Sequence, residues 1–264
     1  MAKPTIVFIH GLWMHNSSWQ AWMDFFKING YDCINPPWPG DSATVAESRA
    51  NPNMIANRSI NEVADSLAKV IATLKQPPVL IGHSVGGLLV QILLDRGIAA
   101  AAVAIDPGPI KGVWQLPFSA LKSGLPVLGN PFNFTKAVSL TPKQFKYAFT
   151  NNLTEEESKE IYEQYTIPAP ARPLFQIAFA TLNPGAQNHV NTANSTRGPL
   201  LMISGEKDNI VPPVLVKAAF KKYSKSTAVT DFKSFADRGH SLANDHGWQE
   251  IAEYSLQWLN KNGL

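Results

Sequence analysis

The chain has 264 residues, 23 Lys plus Arg against 20 Asp plus Glu, a single Cys and 45 % hydrophobic residues, which suits one α/β domain with a full core and room for a large insertion. Charged residues are only 16 % of the chain and no Lys/Arg run forms the basic stripe that phosphate backbones require, so disorder and a nucleic-acid partner are both disfavoured. The lone Cys33 excludes an intramolecular disulfide, and no Cys/His pair has structural zinc spacing. The longest apolar run, Ile98 to Ile105, is too short to cross a bilayer, and the residues before Thr5 leave no room for a signal peptide. A cytoplasmic protein without a membrane partner is expected.

Short apolar runs rich in β-branched residues mark strands at Thr5–Ile9, Cys33–Asn35, Val79–Ile81, Ala101–Ile105, Leu200–Ile203 and Ala228–Phe232. Several are apolar at consecutive positions, as in parallel strands covered on both faces. Between them lie helical patterns. Ser59-Ile60-Asn61-Glu62 is a capping box that opens a periodic run stopped before Pro77, and Val85 to Leu94 is apolar nearly all round. Pro213–Tyr223 and Trp248–Asn260 complete the alternation. Strand then helix throughout predicts an open, doubly wound, mostly parallel sheet of about six strands.

One interval departs from that rhythm. Between Asp106 and Gly198 no convincing strand is found, but helices are expected to start at Thr141-Pro142 and Thr154-Glu155. A structureless loop of that length is unusual, so residues 108–197 are read as an inserted helical lid, and 1–107 with 198–264 as the core domain. Asn188 to Arg197 is the polar return linker.

Gly82-His83-Ser84-Val85-Gly86 follows one predicted strand and precedes a helix. A serine between glycines at such a turn projects its hydroxyl beyond the sheet edge, as a nucleophile needs. That hydroxyl requires a base, and the base an orienting acid. Arg238-Gly239-His240 follows the last strand, and Gly205-Glu206-Lys207-Asp208 follows the one before it. Loops after parallel strands emerge at one edge, so Ser84, Asp208 and His240 are expected to converge there. Asp106, at the end of Ala101–Ile105, is the alternative acid. His10-Gly11-Leu12-Trp13 ends the first strand, and the Leu12 and Val85 N–H groups are the expected oxyanion donors.

These residues resemble the α/β-hydrolase superfamily: His10-Gly11, Gly82-x-Ser84-x-Gly86, Gly205-Glu206-Lys207-Asp208-x-x-Val211-Pro212 and Gly239-His240, in that order over nearly the whole chain. The resemblance implies Ser84 as nucleophile, His240 as base, Asp208 as acid, and Leu12 and Val85 as oxyanion donors. Many members have two leading strands that are lacking here, which implies a shortened sheet. The serine-nucleophile, esterase-like branch is implied, with no cofactor and a small-molecule ester or lactone as partner.

Ser84 argues against the branches of that superfamily with a carboxylate nucleophile. A cofactor-free perhydrolase or a carbon–carbon hydrolase is an alternative. So is a hydroxynitrile lyase, although those compared carry Lys after the histidine where Ser241 stands here. A non-catalytic small-molecule receptor on the same scaffold is a further alternative. Trp13, Met14, Trp38, Trp114 and Phe118 are the candidate walls of an apolar, partly aromatic substrate pocket.

Overall fold

The computed structural model describes residues 3–264. In chain order the elements are β1 (Ile6–Ile9), α1 (Gln20–Ile28), β2 (Cys33–Ile34), α2 (Val45–Ala50), α3 (Ile60–Ile71), β3 (Val79–His83), α4 (Val85–Asp95) and β4 (Ala101–Ile105). Then follow α5 (Phe118–Leu128), β5 (Ala137–Val138), α6 (Pro142–Ala148), α7 (Glu155–Tyr165), β6 (Ala169–Pro170) and α8 (Arg172–Ala178). The chain closes with β7 (Leu200–Gly205), α9 (Pro213–Lys222), β8 (Thr230–Phe235) and α10 (Trp248–Lys261). Six strands form one sheet in the order β2-β1-β3-β4-β7-β8, and every neighbouring pair is parallel.

Alternation along each strand builds two apolar layers. Val7 and Ile9 of β1, with Leu80 and Ala104, face α3, α4 and α9. Ile6 and Phe8, with Ile81 and Val103, face Trp22 and Phe26 of α1 and Ile251 and Leu259 of α10. Trp22 and Phe26 are wholly buried, and each such side chain contributes roughly 1.5–3 kcal/mol of transfer free energy. The Ser59 box forms as the sequence implies: the Glu62 N–H donates to Ser59 Oγ at 3.3 Å and the Ser59 N–H to Glu62 Oε2 at 2.8 Å. Those bonds hold the Glu62 carboxyl below its ordinary range.

Two expectations change. The last strand runs over Thr230–Phe235 and not Ala228–Phe232, because its ladder pairs Leu200 with Thr230 and Gly205 with Phe235. It is an edge strand, half-buried until Phe235, so its apolar signal is weak and the Ala228-Val229 run marks only its approach. The interval between β4 and β7 does contain strands, the short antiparallel pair β5 and β6. At two residues each they are too short for any periodicity to reveal. This interval, with α5 to α8, packs over the same layer as α3 and α4.

Candidate active site

The registers place the ends of the central strands along one edge: Ile9 pairs with Gly82, His83 with Ile105, and Ile105 with Ile203. Ser84 follows β3 there in a left-handed conformation, φ 58° and ψ −121°, that costs a non-glycine residue about 1–3 kcal/mol. Backbone bonds pin it: the Ser84 N–H donates to Ile105 O at 2.9 Å, and Ser84 O accepts from Gly108 N at 2.9 Å. Ser84 is the N-cap of α4, yet its side chain makes no capping hydrogen bond. Its hydroxyl is not spent on the helix.

Glycines are required around it. A Cβ on Gly86 would lie 2.1 Å from Ile9 O, one on Gly82 2.3 Å from Gly86 O, and one on Gly11 2.7 Å from Ser84 Cβ. Gly11 therefore lets the loop after β1 lie directly against the serine. Leu12 and Val85 line the same cavity as Ser84, and Val85 opens α4, whose N-terminal amides favour developing negative charge.

Asp208 and His240 meet. His240 Nδ1 donates to Asp208 Oδ2 at 2.6 Å, and Asp208 Oδ1 accepts from the N–H groups of Ile210 and Val211 at 2.7 and 2.8 Å. With Nδ1 carrying the proton, Nε2 is the basic nitrogen; it is buried and has no hydrogen-bond partner among the described residues. The ring of His83, the residue before Ser84, is 4.6 Å from that of His240, and its Nε2–H donates to His240 O at 2.7 Å. Burial first, and the neighbouring His240 second, hold His83 well below the ordinary histidine range, so it is a neutral donor.

Asp106 does not bond to His240. Its Oδ1 accepts the Gly205 N–H at 2.8 Å, while Oδ2 is buried without a partner among the described residues. Burial, and then the charge of Asp208, push its carboxyl well above the usual range. His83, Asp106 and His240 each bring one potential ligand atom within 4.8 Å of the others. In that cluster His83 Nε2 and His240 Nδ1 are already engaged in hydrogen bonds.

Further contacts escaped the sequence reading. Phe149 lies 5.0 Å from the His240 ring, edge to face, and accepts the Ser241 N–H on its carbonyl at 3.0 Å. Asn151 Nδ2 donates to Lys207 O and Asn152 Nδ2 to Asp237 O, both at 2.9 Å, so one turn of the segment between β4 and β7 braces the loops of both Asp208 and His240. From the opposite face Trp22 Nε1 donates to Ala243 O at 2.8 Å. Asp41 takes the His10 Nε2 at 2.9 Å and the Trp38 N–H at 2.8 Å, fixing the turn after β1. The only sequence signal for these was polar or aromatic character in predicted loops.

A cavity of about 220 Å³ opens over Ser84. Trp13 and Trp114 contribute to its wall, together with Leu121 of α5, Ile177 of α8 and Val211. Met14, Trp38 and Phe118 do not line it. Met14 is buried in a bridge to Thr166, Trp38 is buried against the His10 ring at 4.9 Å, and Phe118 faces outward. Aromatic character in a loop does not reveal which way the side chain turns.

A model of the alpha/beta hydrolase family matches residues 6–254. No curated protein matches the sequence significantly. Among solved structures, a monoacylglycerol lipase of Paleococcus ferrophilus superposes with a TM-score of 0.70 at 20 % identity, over 99 % of this chain and 97 % of that one. A methylesterase from Arabidopsis gives a TM-score of 0.68 at 16 % identity, over 97 % of this chain and 99 % of that one. A thermophilic esterase from Thermogutta terrifontis gives 0.65 at 18 % identity, over 98 % of this chain and 91 % of that one. At such identities the likeness is one of fold.

Proposed function

Because the chain belongs to the alpha/beta hydrolase family, we propose that it is a serine hydrolase of hydrophobic or aromatic carboxylic esters, working through Ser84, His240 and Asp208. The observation that carries this reading is the pairing of an Asp208-oriented His240, with its Nε2 uncommitted, with a strained Ser84 whose hydroxyl is not used as a cap.

In the first half-reaction Ser84 Oγ bonds to the ester carbonyl carbon as its proton passes to His240 Nε2. The Leu12 and Val85 N–H groups take the charge that collects on the carbonyl oxygen. The carbon–oxygen bond to the leaving group then breaks, and His240 returns the proton to the departing alkoxide. In the second half, water attacks the acyl-serine, gives a proton to His240, and the acid leaves as Ser84 regains its hydrogen. Asp208 holds Nδ1–H throughout, so that Nε2 faces the reaction in the basic tautomer.

The cavity favours apolar acyl or alkyl groups. No charged side chain lines it, and Leu121, Ile177 and Leu215 present only hydrocarbon. Residues 108–197 supply α5 and α8 to this wall and so act as a lid that selects the substrate.

Steady-state hydrolysis of p-nitrophenyl esters from acetate to octanoate tests the proposal. Turnover is expected to be best at intermediate length, and Ser84→Ala to lower kcat by roughly 10⁶ while leaving the unfolding transition in place. Comparable turnover by Ser84→Ala would reject it, and saturable binding of these esters without turnover would mark a receptor.

A further inference from the structure

We infer that the apolar rim around the cavity mouth docks on an anionic lipid surface, from which the cavity takes its ester. The inference rests on the proposed ester hydrolysis for its purpose and on separate observations for its existence.

The rim has two banks. On α5, Phe118, Leu121 and Leu125 recur at helical spacing along one face. Phe118 and Leu125 are 78 % and 63 % exposed, and Leu121 is both exposed and part of the cavity wall. Across the mouth, Ala180 and Thr181 line the cavity, while Phe179 and Leu182 on either side of them face solvent, Leu182 at 80 %. Phe132, beyond the end of α5, is 78 % exposed. Exposed apolar side chains on both sides of an apolar cavity mark an interaction site.

Charge says what covers it. No Asp or Glu occurs between Asp106 and Glu155 or between Glu163 and Glu206, whereas Lys111, Lys122 and Lys136 fall in those stretches, as does Arg172, which pairs with Glu62 at 3.6 Å. Lys111 Nζ donates to the carbonyls of Asn183 and Pro184 at 2.9 and 2.8 Å, directly beside Leu182. The ammonium of Lys222 lies next to Gly112, where an added Cβ would be 2.9 Å from Nζ, and Gly112 lines the cavity. A basic apolar rim repels a second copy of itself and complements a surface of anionic headgroups over hydrocarbon. Among the described residues no helix is long and apolar enough to cross a membrane, but a rim that lies on the interface needs no span. This departs from the sequence-based expectation of no membrane partner, which considered crossing alone.

Co-sedimentation with vesicles tests the inference, using Ser84→Ala protein so that binding is read without turnover and its failure is separate from any failure of the esterase reading. The protein should pellet with vesicles of equal phosphatidylglycerol and phosphatidylcholine, and bind pure phosphatidylcholine more weakly. In the Ser84→Ala background, Phe132→Ser with Leu182→Ser should weaken binding at least tenfold, and in wild-type protein the pair should leave hydrolysis of p-nitrophenyl acetate in vesicle-free buffer unchanged. Protein that stays in the supernatant with both vesicle types at low salt overturns the inference. So does a concentration-dependent dimer, seen by sedimentation velocity, that the same two substitutions abolish.

Discussion

Asp106 and Asp208 follow neighbouring strands and differ through their surroundings. Asp208 accepts three hydrogen bonds, two from backbone N–H groups and one from His240. Asp106 is wholly buried, with one N–H on Oδ1, no partner on Oδ2 among the described residues and the charge of Asp208 nearby, so its neutral form is favoured. Asp208→Asn is expected to lower kcat roughly 10⁴-fold by presenting the wrong histidine tautomer, with the secondary structure by circular dichroism unchanged; a loss under tenfold would contradict that role. Asp106 has a folded value raised above an unfolded value of about 3.9. Its contribution to stability is therefore complete below that pH and is lost as pH climbs through the folded value. Asp106→Asn removes that loss, so relative to the native chain its stability in urea should rise between pH 4 and pH 7. A pH-independent difference would show that Asp106 ionises normally. Both acids were visible in the sequence as residues following strands. That Asp208 holds His240 was favoured only by the Ser, Asp, His order along the chain, because spacing places a loop at the edge but does not set a side-chain rotamer.

At the scale of elements, the turn between β3 and α4 is legible because backbone contact leaves no room for side chains at Gly82 and Gly86. A Cβ on Gly86 would meet Ile9 O at 2.1 Å, and neither β1 nor α4, both fully packed, has space to yield. Gly86→Ala should cost about 1–3 kcal/mol of unfolding free energy, measured by urea titration, with activity lost in proportion to the displacement of Ser84; stability within about 0.5 kcal/mol of native would show that the turn is slack. Other elements left weaker traces. The edge strand β8 presents half-buried polar and apolar residues alike, so its register is set by pairing with β7 and not by its own pattern. The Asn151-Asn152 turn reads as an ordinary polar loop. Only in the fold do its amides reach Lys207 O and Asp237 O, bracing segments far apart in the chain.

For the molecule as a whole, alternating strands and helices foretold the parallel sheet, since runs such as Ala101–Ile105 and Leu200–Ile203 are apolar at every position only when both faces are covered. The segment between β4 and β7 was visible as an interruption of that alternation, with the Thr141 and Thr154 caps locating α6 and α7. Its wall was not, because Trp114 lines the cavity while Phe118, four residues on, turns to solvent. Pro126 within α5 and Pro173 in the first turn of α8 likewise gave no sign of how the two helices would bracket the cavity. Covalent labelling reads the proposed nucleophilicity of the Ser84 hydroxyl directly. Intact and peptide mass spectrometry after a fluorophosphonate should give a single adduct on Ser84, absent from Ser84→Ala and formed far more slowly in His240→Ala. An adduct on another residue, or equal labelling of the His240→Ala protein, would contradict the account.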